Sequence, residues 1–179
     1  QNLEAVRGRI ASACRKAGRD PSSVTLIAVT KTVPAQRIRE GVEAGLTLFG
    51  ENYIQEARAK MEALSDLALS WHFIGHLQSN KAKVAVECFD WVHTVDRVSL
   101  ARELDRQALK LGRQLPILHQ VNVGDEASKQ GAPVAELRAL FDMACACDGL
   151  VVRGLMALPP YEEDPELARP YFQTMRRLL

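Results

Sequence analysis

No apolar run among the 179 residues approaches the roughly 20 that a membrane helix requires, so nothing in the sequence reads as a membrane span. The opening stretch, QNLEAVRGRIASACRKAG, alternates charge with apolar groups as a surface helix does, which argues against an export signal. An excess of one charge is also missing. The 23 basic and 22 acidic side chains nearly cancel, which removes the electrostatic reason to expect nucleic acid or an anionic membrane as the main partner. A small anionic ligand needs only a local site. The four cysteines form no metal cassette, because Cys14 and Cys88 stand alone and Cys145 with Cys147 makes a single C-x-C. They read as free thiols of a reducing compartment, so the expected location is the cytoplasm.

What the sequence does have is enough apolar material, 47% of residues, to bury one core without covalent staples. A single domain over residues 1–179 is therefore expected. After the turn cluster GRDPSS, β-rich runs alternate with longer segments of helical period. The predicted strands cover 24–30, 46–50, 71–77, 91–95, 117–123 and 151–157. The predicted helices cover 35–44, 53–64, 79–87, 99–111, 133–148 and 165–179. Such βα repetition suits either an open doubly wound sheet or a parallel barrel of the (β/α)8 type. No G-x-G-x-x-G turn follows the first strand, as a dinucleotide-binding sheet would require. Polar residues collect after nearly every strand: Lys31, Glu51 and Asn52, His76, Asp96, Asn122 with Asp125, and Tyr161. Barrel sites are built at that end, so the expected fold is an α/β barrel with about six of its eight units in these residues. The chain starts at Gln1 and stops at Leu179 inside a helical pattern, and material is expected to be missing.

Several clusters can carry chemistry. Lys31 closes the apolar run LIAVTK, where it is either a lysine reaching into water or an amine kept dry enough to lose its proton and condense with an aldehyde. Glu51 and Asn52 precede a helix as caps or ligand groups. His72, Ile74 and His76 are expected on one strand face, with Ser79 or Asn80 capping the next helix. Two histidines that far apart are poorly placed to share an ion, so no metal is expected. The segment 120–131 reads as a mobile loop carrying Lys129, and Met156 faces either the core or a flat ligand ring.

In order, AVTKTVP, LFGENYIQE, WHFIGHLQSNK, DWVHTVD and RGLMALP resemble the pyridoxal phosphate homeostasis proteins, single-domain relatives of the N-terminal barrel of alanine racemase. The resemblance implies that Lys31 carries pyridoxal 5′-phosphate (PLP) as an internal imine, with Asn52 near it and Ile74, Gly75 and Met156 placed to touch the ring. It implies buffering or delivery of the cofactor to enzymes that require it, by a monomer or weak dimer, with no established reaction. Family members continue with strands reading like SMGMS and GTAIFG, whose groups hold the phosphate, and neither motif occurs here. A chain ending at Leu179 would leave its first and sixth strands as open edges.

Two other functions fit less well. A racemase needs a second acid or base opposite the lysine, which such enzymes take from an additional β domain. A metal-dependent hydrolase would use His72, His76, His93 and His119, but no H-x-H or H-x-x-x-carboxylate pair stands at a strand end.

Overall fold

The computed structural model describes residues 2–124 and 130–179. Helix α1 (Asn2–Lys16) precedes the strands β1 (Ala28–Val29), β2 (Leu48–Glu51), β3 (Ser70–Phe73), β4 (Trp91–Val95), β5 (Leu115–Gln120) and β6 (Leu150–Met156). Between and after them come α2 (Ala35–Glu43), α3 (Ile54–Ala63), α4 (Ala82–Cys88), α5 (Val98–Lys110), α6 (Val134–Cys145) and α7 (Arg169–Leu178). The strands form one parallel sheet in the order β1-β2-β3-β4-β5-β6. That order decides the question periodicity left open. A doubly wound sheet reverses its strand order at a switch point, whereas unbroken sequential order with right-handed crossovers places every connecting helix on one face. The topology is that of the barrel.

Register separates the two faces. Ala28, Phe49 and Trp71 lie side by side across β1 to β3, and Phe73, Val92, Ile117 and Val152 do so across β3 to β6. These residues belong to or pack on the main hydrophobic cluster, which also takes in Ile38, Ala57, Val86, Leu104 and Leu140 from the helices. The other face carries the partners of alternate parity: Val29 beside Gly50, Gly50 beside His72, and His72 beside Trp91. This is the inner face of the curved sheet, and its upper rim holds the strand-end residues.

The first strand is much shorter than the expected 24–30. A run becomes a strand through its ladder, and β1 pairs on one side only, with β2. Likewise β3 stops at Phe73, so Ile74 and His76 belong to the loop beyond it and not to one strand face with His72. The expected cap at the start of α4 is also absent: Lys81 stands at that position and no side chain closes the turn. The segment 125–129, with Asp125 and Lys129, lies outside the described residues.

Candidate functional site

The ends of β2 and β3 meet closely. The Ile74 N–H donates to the Glu51 carbonyl at 2.9 Å, and the Thr94 hydroxyl donates to the Gly75 carbonyl at 2.7 Å. A Cβ on Gly75 would stand 2.7 Å from the Cα of Asn52 and closer still to its carbonyl oxygen, so only glycine permits this approach. Gly50 is less strictly confined, since a Cβ there would lie 2.9 Å from Ile74 Cδ1, the movable end of a side chain. Asn52, Ile74 and Gly75 are thus brought together. The Asn52 Oδ1 is buried and has no hydrogen-bond partner among the described residues.

Lys31 lies one strand over, in the turn after β1. It is exposed, and its side chain makes no hydrogen bond or ion pair among the described residues. Of the two sequence readings, the lysine reaching into water is the one seen among the described residues, where β1 pairs with β2. The backbone around Lys31 is held firmly instead. Thr30 is buried; its N–H donates to the Gly50 carbonyl at 3.0 Å and its hydroxyl donates to Glu51 Oε1 at 2.6 Å. From α3, the buried Lys60 ammonium donates to the Thr30 carbonyl at 2.5 Å, to Glu51 Oε1 at 2.7 Å and to Glu56 Oε1 at 2.6 Å. Glu56 Oε1 also accepts the Thr32 N–H at 2.5 Å. Thr32 has φ 62°, a left-handed conformation unusual for a β-branched residue. The hydrogen bond from Lys60 above all, helped by the Thr32 N–H, holds the Glu56 carboxyl below the usual carboxylate range against the opposing effect of partial burial.

Of the two roles left open for Glu51 and Asn52, capping is not seen. Tyr53 is the N-cap of α3 and no side chain closes that turn; Glu51, fully buried, is turned toward Lys60 and Thr30. Neither Lys60 nor Glu56 was singled out in the sequence. The spacing of four residues on one helix was a usable signal for that pair, whereas the Lys60 bond to Glu51 crosses a loop and had none.

The histidines do not gather around Lys31. His72 and His93 meet on the inner face, Nδ1 to Nε2 at 2.9 Å, and His72 stacks on Trp91 with ring centroids 5.7 Å apart. Burial first, and then the neighbouring His72, pushes His93 down to about 4; burial lowers His72 against the pull of Asp90. His119 is fully buried, with Nδ1 3.3 Å from the Val95 carbonyl oxygen and Nε2 without a partner among the described residues. His76 is exposed. Among the described residues no three histidine, cysteine or carboxylate side chains are grouped to hold a metal ion.

Met156 ends β6, where its carbonyl accepts the Val121 N–H at 2.9 Å. It is half-buried and stands at the far end of the strand order from Lys31. A groove of about 240 Å³ runs along Asn52, Tyr53, His76 and Lys81, and another of about 360 Å³ flanks Thr32, Pro34, Glu56 and Lys60. The larger depression between α3 and α4, about 700 Å³, is lined by Arg58, Trp71 and Cys88 and includes none of the strand-end residues.

The whole chain, residues 1–179, matches the family described as alanine racemase, N-terminal domain. It is 43% identical over 178 residues to the pyridoxal phosphate homeostasis protein of Aquifex aeolicus, covering 99% of this chain and 78% of that one. The protein of the same name from Pseudomonas aeruginosa is 45% identical over 179 residues, covering 100% of this chain and 78% of that one. Among solved structures, PipY of Synechococcus elongatus with PLP bound superposes with a TM-score of 0.82 at 41% identity, covering 97% of this chain and 79% of PipY. Alanine racemase from E. faecalis superposes with a TM-score of 0.72 at 14% identity, covering 97% of this chain and 48% of the racemase, a likeness of fold alone.

Proposed function

Because the chain belongs to the alanine racemase N-terminal domain family, among the pyridoxal phosphate homeostasis proteins, we propose that it binds PLP on Lys31 and stores or delivers it without turning over a substrate. The observation that carries the proposal is the state of Lys31: an amine with no hydrogen bond or ion pair among the described residues, on a backbone held at both neighbouring residues, at the rim where barrel sites form. When bound, PLP supplies an aldehyde that condenses with a lysine amine, and a phosphate that calls for hydroxyl and backbone donors.

The residues present suit the ring of such a group. Asn52 offers a buried oxygen with no partner among the described residues, ready to accept a hydrogen bond from a ligand. The absence of a Cβ at Gly75 keeps the β2 and β3 ends together, and Ile74 gives an apolar surface beside them. In this reading Met156 closes the ring site from β6. The relatives at 43 and 45% identity carry the name of homeostasis proteins, which supports storage over turnover. The recipients would be enzymes that require the cofactor, and the working location would be the cytoplasm. No helix among the described residues is long and apolar enough to cross a membrane.

Titration of the protein with PLP, followed by visible absorbance and by assays of alanine racemisation, tests this reading. A saturable chromophore without racemisation is expected. Racemisation would overturn the storage role, and an absent chromophore would overturn cofactor binding.

A further inference from the structure

We propose that Lys60 and Glu56 are positioning residues that set the direction of the Lys31 side chain by clamping the residues on either side of it. The proposal rests on reading Lys31 as the cofactor lysine. Lys31 has no contact of its own that would orient it, since its side chain is exposed and forms no hydrogen bond or ion pair among the described residues. The direction in which its stem leaves the main chain is therefore set by Thr30 and Thr32. Lys60 Nζ holds the Thr30 carbonyl and Glu51 Oε1 holds the Thr30 hydroxyl, at 2.5 and 2.6 Å. Glu56 Oε1 holds the Thr32 N–H at 2.5 Å and is itself held by Lys60 at 2.6 Å.

A buried ion pair is seldom more stabilising than well-packed apolar side chains of the same volume, so stability alone is a weak reason to bury Lys60 and Glu51 here. What the group does hold is a backbone that would not persist unaided. Thr32 at φ 62° is strained, and such a conformation survives only where its surroundings over-determine it. Release of the Thr32 N–H lets the turn relax toward ordinary backbone angles, which redirects the segment from which the Lys31 stem departs. The clamp is assembled on α3, outside the sheet, and touches Lys31 only through the main chain.

Glu56 is the better place to test the clamp, because its side chain is 29% exposed and its removal leaves Lys60 paired with Glu51. Glu56→Ala and Glu56→Gln are compared with the parent protein for PLP affinity, for the yield of pyridoxyl group fixed on Lys31 by borohydride, and for cofactor-free amide exchange at Thr32. Losing a charge-assisted hydrogen bond predicts faster Thr32 exchange and affinity weaker by about 10-fold or more in Glu56→Ala. Glu56→Gln keeps an acceptor oxygen for the Thr32 N–H and is expected to recover part of both. Parent-like exchange and affinity in Glu56→Ala overturn the proposal, as does a loss that Glu56→Gln fails to recover. A parent protein that never forms the Lys31 adduct overturns the cofactor reading instead, and Thr32 exchange in the two variants still decides whether the clamp exists.

Discussion

His72 and His93 share one hydrogen bond, Nδ1 to Nε2 at 2.9 Å, between neighbouring strands on the inner face of the sheet. One ring must donate and the other accept, so the pair cannot keep this bond with both rings protonated. Burial holds His93 down to about 4, below the ordinary value near 6.5 of an unfolded chain. The unfolded state therefore binds more protons between these values, and the stability contributed is complete above pH 6.5 and lost as pH falls toward 4. The loss is on the order of 3 kcal/mol for a shift of this size. Urea unfolding at pH 7, 5.5 and 4.5 is expected to show falling stability, with a flatter profile in His93→Gln. Equal slopes in the two proteins would remove the histidine pair as the cause.

Lys60 and Glu51 are buried together, at 7% and 0% side-chain exposure. Replacing Lys60 by Met leaves a carboxylate without its cation, which costs about 3–5 kcal/mol and lowers the melting temperature by roughly 6–20 °C in a chain of this size. The double variant Lys60→Met, Glu51→Leu removes both charges and is expected to regain most of that loss. Calorimetry on the parent, the single variant and the double variant measures both effects.

Thr32→Gly relieves the positive φ, because glycine enters that region freely. The relief of about 1–3 kcal/mol is offset in part by the greater freedom of glycine in the unfolded chain, leaving a net gain of about 1 kcal/mol. A rise in the urea midpoint at unchanged slope is the expected reading.

At Gly75 the opposite holds. Ala at this position drives a methyl into the Asn52 backbone, with the Asn52 Cα 2.7 Å away, and the β2 and β3 ends must part. A cost of about 1–3 kcal/mol is expected, together with weaker cofactor binding that exceeds what the lost stability explains. Melting temperature and PLP titration on Gly75→Ala separate the two.

The alternation of strands and helices was legible because each βα unit carries its own period, and β4 matches the predicted 91–95 at both ends. Strand β1 was not, since its length depends on a ladder with β2 that no local pattern encodes. Asn52, Ile74 and Gly75, grouped in the sequence by the order of their motifs, lie together where the ends of β2 and β3 meet. For Glu51 the sequence left capping and ligand binding open, and its partner Lys60, across the loop between β2 and α3, belonged to neither reading. His72 was set beside His76 by spacing; the fold pairs it with His93, twenty-one residues away, through sheet register. Lys31 takes the water-exposed one of the two readings the run LIAVTK offered, in the turn after β1.

Borohydride reduction of the PLP-treated protein, followed by peptide mass mapping, identifies the lysine that holds the cofactor. A pyridoxyl group is expected on Lys31 alone, and in Lys31→Ala no adduct but a melting temperature close to the parent's, since this exposed side chain makes no hydrogen bond or ion pair among the described residues. An adduct on another lysine, or none at saturating cofactor, would contradict it.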